Sequence, residues 1–293
     1  MGAGMKNGAF YISLRRLLTW LMAPLLLFGQ ATLLHAETLL ERAVERGSLN
    51  VCTSDEFPPF KAYDKNGQAS GLIYDLILDV QRHLSQASGH ELKLQLVNVT
   101  PLNRLLFLNQ GRCELLVTSL LDTPARRREV DFVSPGYYSS AATVFARKST
   151  VVTDWGSLRG KTLCAPSTSV WVRPYEERYG VEFASFNGLA ELRQALVDGR
   201  CLGALGDDVL YRALSQTSGW EDFEVKLPGQ DPAPWGIALR KGQDNLRENL
   251  SVLVREWHSS GELIRLEQKY KLPANPWIAQ QHSLYAAPAK GAN

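Results

Sequence analysis

The sequence of 293 residues contains four cysteines, and thiol chemistry is the first chemistry that its residue types offer. They are Cys52, Cys113, Cys164 and Cys201. In an oxidising compartment an even number of cysteines favours disulfides, and four cysteines allow three pairings. Four buried free thiols are the alternative, because cysteine also packs as a small apolar side chain. The number of cysteines therefore predicts either two disulfides or four free thiols buried in the core.

Other side chains do not form a recognisable catalytic or metal-binding motif. His83, His90 and His258 are scattered through the sequence, without the short spacings typical of metal ligands. A Gly-x-Ser-x-Gly motif, the turn that presents the nucleophile of many serine hydrolases, does not occur. We therefore expect no metal, no cofactor and no catalytic residue.

Two of the cysteines occur in a repeated Gly-Arg-Cys triplet, at 111–113 and 199–201. Each triplet follows an amphipathic helical pattern and precedes a short apolar run, whereas Cys52 and Cys164 lie within short strand patterns. The order strand, helix, strand, helix, triplet, strand therefore occurs twice and predicts two βαβαβ units. In an open parallel sheet of order 2-1-3 the first and third strands are neighbours. The predicted disulfides are Cys52–Cys113 and Cys164–Cys201.

The N-terminus has the features of a secretory signal peptide. Residues 1–36 contain three basic residues, no acidic residue and the apolar run 17–28, and they end at the small residue Ala36. We predict cleavage after Ala36, and an uncleaved anchor is disfavoured because Pro24 interrupts the apolar run. Cleavage changes the formal net charge from +2 to −1. This near-neutral charge argues against a basic surface for nucleic acids.

Two extended segments, 142–147 and 235–239, are expected to connect the two units. The polar C-terminal end is rich in small residues, which is typical of a disordered tail. The predicted boundaries are 37–143 with 238–279 for lobe 1, 144–237 for lobe 2 and 280–293 for the tail. One lobe inserted into another through two crossing strands forms a hinged cleft, the expected place of a small ligand.

Five short segments occur in an order that resembles one protein family. They are 71–76, 118–135, 161–169, 205–208 and 260–263. Together they resemble the bacterial extracellular solute-binding proteins of family 3, which deliver amino acids to ABC transporters. The resemblance covers about residues 40–278. It implies an α/β fold of the type II periplasmic-binding-protein class, with two lobes, each an open, mostly parallel sheet with flanking helices, and two crossing hinge strands.

The resemblance also implies a zwitterionic ligand. Arg126 would bind the α-carboxylate through its planar guanidinium, assisted by the hydroxyl of Ser119. Without the resemblance, a run of three arginines is more typical of a solvated charged surface. Asp207, at the carboxyl end of a lobe 2 strand, would bind the α-ammonium, with Asp208 as the second choice.

Other residues of the implied site come from both lobes. Thr168 and Ser169 are expected just before a helix whose N-terminus suits an anion, with plain N-capping as the alternative. Arg104 matches an arginine that faces the ligand side chain in glutamate/aspartate and general L-amino-acid binders, which favours an acidic or amide side chain. The sequence departs from the glutamate/aspartate group at Ser54 and Asn187. Phe57 is expected either to wall the ligand or to anchor its loop.

The function implied is that of a monomeric periplasmic protein that captures a polar or acidic L-amino acid and delivers it to an ABC permease. Ligand binding would close lobe 2 over lobe 1. A cyclohexadienyl-dehydratase-like enzyme on the same fold is an alternative, although the sequence adds no acid–base constellation. A ligand-sensing partner of a membrane receptor is a third possibility, which the sequence does not distinguish from transport.

Overall fold

The computed structural model describes residues 1–2, 38–54 and 57–286. The predicted signal peptide, except for its first two residues, lies outside this part. The chain divides into two units, 1–37 and 38–293, and every element described below belongs to the second. Within the described residues, no helix combines the length and apolar character that a membrane crossing requires.

The elements alternate between helix and strand along most of the chain. Up to the first crossing they are α1 (Leu39–Arg46), β1 (Ser48–Ser54), β2 (Ala62–Tyr63), β3 (Ala69–Ser70), α2 (Leu72–Ser88), β4 (Lys93–Val99), α3 (Arg104–Asn109), β5 (Leu115–Leu116), α4 (Pro124–Arg127) and β6 (Asp131–Phe132). Next come β7 (Tyr138–Arg147), a 3₁₀ turn (Gly156–Leu158), β8 (Thr162–Pro166), α5 (Val172–Tyr179), β9 (Glu182–Phe186), α6 (Leu189–Val197), β10 (Gly203–Asp207), α7 (Asp208–Leu214), β11 (Phe223–Val225) and β12 (Gln230–Trp235). The last are β13 (Ala238–Leu239), α8 (Asp244–Ser260), α9 (Glu262–Lys269) and α10 (Pro276–Tyr285).

These strands form two main sheets, one in each lobe. The lobe 1 sheet has the order β4-β1-β5-β13-β6, and the lobe 2 sheet has the order β11-β7-β10-β8-β9, with β12 paired to β7. In both sheets the first strand of the βαβαβ unit lies between the second and the third, as the repeated pattern predicts. The parallel pairs are β1 with β4 and β5, and β8 with β9 and β10. The mixed α/β architecture of the type II class is thereby confirmed.

Both predicted disulfides are confirmed. Cys52 is bonded to Cys113 with their Cα atoms 5.6 Å apart, and Cys164 to Cys201 at 5.5 Å. Each cross-link therefore lies within one lobe. All four sulfurs belong to buried residues that pack in the hydrophobic clusters of their own lobes.

Helix α2 shows how the sequence sets the geometry of lobe 1. Its apolar positions follow the helical period and are buried against the sheet; they are Leu72, Ile73, Leu76, Ile77, Val80 and Leu84. Gly71 precedes the helix with a φ of 125°, and a Cβ there would lie 2.4 Å from the carbonyl oxygen of Phe60. Only glycine allows this close approach, which packs the loop of residues 57–61 onto the start of the helix.

The chain crosses between lobes earlier than the sequence pattern predicts. Strand β7 lies in the lobe 2 sheet along its length, since it pairs with β10, β11 and β12. The predicted boundary after residue 143 falls inside this strand, and the chain leaves the lobe 1 sheet at residues 133–137. The two crossing segments pair with each other there, because the amide of Val133 donates to Ile237 O and that of Tyr137 to Trp235 O, both at 2.9 Å.

The C-terminal end also differs from the sequence expectation. Residues 276–285 form helix α10, so the tail predicted from residue 280 is helical for its first six residues. Asn275 caps this helix through a 3.0 Å hydrogen bond from the amide of Trp277, and Pro276 occupies the first helical position. Ile278 is buried against the core, so the helix is held by tertiary packing. Residues 287–293 lie outside the described part.

Candidate functional site

The carboxyl ends of the parallel strands bring three charged side chains together from both lobes. Arg104 begins α3 after β4, Arg126 lies in α4 after β5, and Asp207 ends β10. Their charges interact: each arginine lowers the pKa of Asp207, and Asp207 raises the pKa of each arginine. Within the described part of the chain none of the three has a salt-bridge partner within 4.0 Å. The sequence therefore identified three residues that share one electrostatic environment.

Arg104 is a buried cation whose guanidinium forms no hydrogen bond or salt bridge with the described part of the chain. Only 8% of the residue is exposed, and among the described residues its side chain has no hydrogen bond. Burial is the main reason that its pKa falls to about 10, and the charge of Arg126 lowers it further. A guanidinium carries five N–H donors, and leaving them unpaired away from water is unfavourable. Such a side chain suits an anionic or strongly hydrogen-bonding ligand.

Arg126 is held in place by its own loop. The hydroxyl of Thr123 caps α4 by accepting from the amide of Arg126 at 3.3 Å, and Nη1 of Arg126 donates to the carbonyl oxygen of Leu121 at 2.8 Å. Burial lowers the pKa of Arg126, while the charge of Asp207 raises it. The planar fork therefore retains donors for a carboxylate, in a position that its backbone contacts fix.

The neighbours of Arg126 have other roles. Arg127 makes a bidentate hydrogen bond with Asp122, and this contact raises the pKa of Arg127. Arg128 is exposed. Ser119 is half-buried in the turn between β5 and α4. The structure thus separates Arg126 from the two arginines that follow it.

Asp207 is the lobe 2 member of the group. Burial is the main cause that raises its pKa, to about 6, and the charge of Asp208 adds to the rise. The hydroxyl of Ser140 donates to Oδ1 of Asp207, which acts in the opposite direction. Nε1 of Trp235 in turn donates to the oxygen of Ser140 at 2.8 Å. A carboxylate in this environment gains from a cationic ligand group that replaces its lost hydration.

Asp208, the second choice for the ammonium, is engaged in the local structure. Its Oδ1 accepts from the amide of Ala141 at 2.9 Å and from that of Val209 at 2.8 Å. These bonds tie the start of α7 to β7. The structure therefore places Asp207, and not Asp208, among the cationic side chains.

The lobe 2 loop at Thr168 and Ser169 differs from the prediction. Helix α5 begins at Val172, with Trp171 as its N-cap and without a side-chain capping bond. Residues 167–168 form a turn, closed by the amide of Ser169 donating to Pro166 O at 2.9 Å, and this turn delays the helix. A helix therefore follows this loop as expected, but Trp171, and not Thr168 or Ser169, is its N-cap. Both residues are half-buried, and the Ser169 hydroxyl accepts weakly, at 3.4 Å, from the Trp171 amide.

Asn187 and Phe57 both contact residues of their own lobe. Asn187 accepts a 2.8 Å hydrogen bond from the hydroxyl of Ser167. Phe57 is half-buried, its amide donates to Lys61 O at 2.8 Å, and its ring lies 6.3 Å from that of Phe60. The ring of Phe60 lies 5.3 Å from Trp235 in the second crossing segment. The loop that carries Phe57 is therefore anchored to the hinge.

Sequence reasoning missed two residues beside this site, Ser140 and Lys61. Lys61 is 1% exposed, and its Nζ donates to Ser54 O at 2.8 Å and to Asn98 Oδ1 at 3.0 Å, at the carboxyl ends of β1 and β4. A lysine after an apolar Pro-Pro loop was the available signal for it. For Ser140, the sequence offered only the fact that a polar residue lies in an otherwise apolar strand.

Among the described residues, no group of three or more His, Cys, Asp or Glu side chains is arranged to hold a metal ion. Two guanidinium groups of lobe 1 and one carboxylate of lobe 2 are near enough for their charges to interact. Guanidinium groups pair well with carboxylates, and a carboxylate pairs well with an ammonium group, so this arrangement is chemically suited to a small molecule with charges of both signs.

Comparison with known proteins agrees with this chemistry. The family model of bacterial extracellular solute-binding proteins, family 3, matches residues 49–273. An arginine-binding extracellular protein of Bacillus subtilis is 23% identical over 222 residues, 74% of this chain and 84% of the relative. An L-glutamate/L-aspartate-binding protein of Pseudomonas aeruginosa is 22% identical over 239 residues, 79% of each chain. Both relatives are named as binding proteins.

Among solved structures, an ancestral amino-acid-binding protein, described as a precursor of cyclohexadienyl dehydratase, matches with a TM-score of 0.68 at 22% identity. The match covers 80% of this chain and 99% of that structure. At this identity the similarity establishes the fold only. The identity of the ligand has to be inferred from the residues of the site.

Proposed function

Because the chain belongs to the bacterial extracellular solute-binding proteins, family 3, we propose that it captures an L-amino acid with an acidic or polar side chain between its lobes. We propose further that it works as a monomer in the periplasm and delivers this ligand to an ABC permease. The observation that carries the proposal is the buried guanidinium of Arg104, which has no hydrogen-bond partner among residues 38–54 and 57–286 and interacts with the charges of Arg126 and Asp207.

Each charged group has one role in this proposal. Arg126 binds the α-carboxylate with its planar fork. Asp207 binds the α-ammonium, and Arg104 binds the end of the ligand side chain. The backbone and hydroxyl groups of the flanking turns contribute neutral contacts; these residues are Ser119, Thr168 and Ser169. Phe57 covers the aliphatic part of the ligand.

The sign of the charges supports an acidic side chain over a basic one. Asp207 is the one carboxylate among the described residues whose charge acts on Arg104, whereas Arg126 interacts with both Asp207 and Glu129. The α-groups of an amino acid use Arg126 and Asp207 as a balanced pair. Arg104 is then left for the side chain, where an anion is attracted and a second cation is repelled in a low-dielectric cleft. An amide oxygen also accepts from a guanidinium, which keeps glutamine within the proposed class.

The lobe architecture supports binding by closure. The arginines belong to lobe 1 and Asp207 to lobe 2, so a zwitterion bridges the lobes and stabilises the arrangement in which they face each other. Export is supported by the signal-peptide pattern of residues 1–36. It also agrees with the relative from Bacillus subtilis, which is named an extracellular protein.

The test is titration calorimetry of residues 37–293 with L-glutamate, L-aspartate, L-glutamine and L-arginine. We expect L-glutamate or L-aspartate to bind with a micromolar Kd, a binding free energy of about 8 kcal/mol. L-Arginine should bind at least tenfold more weakly, a difference in binding free energy of about 1.4 kcal/mol. Absence of binding by L-glutamate, L-aspartate and L-glutamine alike would overturn the proposal. Preference for L-arginine would overturn the role of Arg104.

A matched pair of variants separates the site from general charge effects. Arg126→Gln removes the proposed carboxylate fork and should abolish binding of every amino acid. Arg128→Gln removes the same charge from an exposed position two residues away and should leave binding unchanged. Growth of a deletion strain on the bound amino acid as nitrogen source then tests transport, because a purely sensory protein would leave uptake intact.

A further inference from the structure

The C-terminal helices hold the first crossing segment through three buried side chains. These are His258 at the end of α8, Glu267 in α9 and Asn275 at the start of α10; they are named here the hinge clasp. They are 1%, 4% and 7% exposed. The family model ends at residue 273, so Asn275 and α10 lie beyond the part of the chain that defines the family.

His258 forms the first contact of the clasp. Its Nε2 donates to the carbonyl oxygen of Gly136, in the crossing segment, at 2.8 Å. The ring lies 5.5 Å from Trp277 and 5.6 Å from Tyr285, both in α10. The carbonyl oxygen of His258 also accepts from Nδ1 of His282 at 2.7 Å. Helix α10 therefore fixes the imidazole that holds Gly136.

Glu267 and Asn275 form the second contact. Oε1 of Glu267 accepts from the hydroxyl of Tyr138 at 2.7 Å and from the amide of Asn275 at 3.1 Å. Nδ2 of Asn275 donates to the carbonyl oxygen of Ser139 at 2.9 Å. The clasp thus contacts residues 136, 138 and 139 by separate hydrogen bonds.

The held stretch leads directly to the candidate site. Ser140 follows it and donates to Asp207, while Trp235 of the second crossing segment donates to Ser140. The two crossings also pack closely, since a Cβ on Gly136 would lie 2.7 Å from Trp235 O. A displacement of residues 136–139 would therefore move the hydroxyl that orients Asp207.

We propose that the hinge clasp is a positioning device for ligand binding: it holds the first crossing segment in the geometry that brings Asp207 towards the lobe 1 arginines. Residue Asn275 and helix α10 act through Ser139 and Ser140 without touching the ligand. The part of this inference that concerns ligand affinity rests on the proposed function. The part that concerns the hinge geometry does not rest on it, because that geometry is measured on the ligand-free protein.

Two variants remove the clasp to different extents. Asn275→Ser loses the donor to Ser139 but keeps a side-chain oxygen that caps α10. A stop codon after Asn275 removes α10 and the two rings beside His258. Leu284→Ala is the control, because this α10 side chain is 68% exposed and faces away from the hinge contacts.

The measurements are small-angle X-ray scattering of the ligand-free protein and calorimetry with L-glutamate, on residues 37–293 and each variant. We expect a larger radius of gyration for both clasp variants. Their apparent affinity for L-glutamate should fall about tenfold, since it scales with the fraction of molecules in the competent arrangement. The control should match the wild type in both. Lower melting temperatures without a change in scattering or affinity would reduce the clasp to a stabilising contact and overturn the proposal.

The outcomes distinguish this inference from the proposed function. If the wild-type protein does not bind L-glutamate but the clasp variants expand, the hinge role stands and the ligand assignment fails. If the wild type binds and neither variant changes, the clasp inference fails alone. Should the truncated protein not fold, Asn275→Ser decides the question, because it preserves the whole helix.

Discussion

The hydroxyl of Ser140 donates a hydrogen bond to Oδ1 of Asp207 and so joins strand β7, which follows the first crossing segment, to the carboxylate of the candidate site. The indole of Trp235 fixes that hydroxyl from the second crossing segment. The second crossing segment is thereby linked, through Ser140, to a carboxylate whose charge interacts with both lobe 1 arginines. The charge state of this carboxylate and the geometry of the hinge are coupled through one serine.

Replacing Ser140 by alanine should weaken ligand binding in a pH-dependent manner. The Ser140 bond lowers the pKa of Asp207, which burial raises to about 6, so its loss raises that pKa further. The ammonium of the ligand needs the ionised carboxylate. We expect the loss of L-glutamate affinity in Ser140→Ala to be larger near pH 6 than about two pH units higher. At the higher pH the Asp207 carboxyl is ionised in both the wild type and the variant. Calorimetry at both values checks this, and an equal loss at both would contradict it.

Replacing Asp207 by asparagine should stabilise the ligand-free protein at neutral pH. The pKa of this carboxyl is raised by burial from 3.8 to about 6, so the folded state holds the proton more tightly than the unfolded state. The free energy of unfolding therefore falls as pH rises through this interval, by up to about 3 kcal/mol. In Asp207→Asn the free energy of unfolding does not fall in this way, because the amide does not ionise. The side-chain oxygen of the asparagine still accepts the hydrogen bond from Ser140. Urea denaturation at pH 4 and pH 7 tests it, and a variant less stable than the wild type at pH 7 would disprove it.

Replacing Arg104 by methionine should weaken the binding of L-glutamate and raise the free energy of unfolding. Methionine fills a similar volume without a buried charge, so we expect a higher free energy of unfolding without ligand. Binding of L-glutamate should weaken on the order of 30-fold, the effect of a charged hydrogen bond, and that of L-alanine should change much less. Arg128→Met, at an exposed position, is the matched control. Equal losses for both ligands would show that Arg104 does not contact the side chain.

Removing a disulfide should destabilise one lobe without moving the hinge. Cys164 and Cys201 are separated by 37 residues, for which loop-closure entropy predicts a loss of about 4 kcal/mol in Cys164→Ala/Cys201→Ala. The crossing segments lie outside this loop. We therefore expect a lower urea midpoint and unchanged ligand-free scattering. An expanded protein under native conditions would indicate that the cross-link also controls the lobes' arrangement.

Most of the fold followed from local patterns in the sequence. The two Gly-Arg-Cys triplets marked the third strand of each unit, and the parallel order then gave both cysteine pairs. Helix α10 was missed because the composition of residues 280–293 is small and polar. Its contacts with His258 come from a distant part of the chain, although Asn275 and Pro276 were a local signal for a helix start.

The candidate site was less accessible to sequence reasoning. Arg126 was separated from its two neighbours only by family resemblance, and the physical reason, the engagement of Arg127 by Asp122, is a tertiary contact. The start of α5 was misplaced because the turn after β8 delays it. Ser140 lies 67 residues from the carboxylate it contacts, and a sequence pattern does not encode such a separation.

The pairing of the cysteines has a consequence for how the protein reaches its native state. Each cysteine is joined to the next one along the chain, 52 to 113 and 164 to 201. A chain that enters an oxidising compartment N-terminus first presents Cys113 when Cys52 is its sole available partner, and the second pair emerges only afterwards. Oxidation in order of appearance therefore produces the native bonds directly, and maturation does not depend on the reshuffling of mispaired thiols.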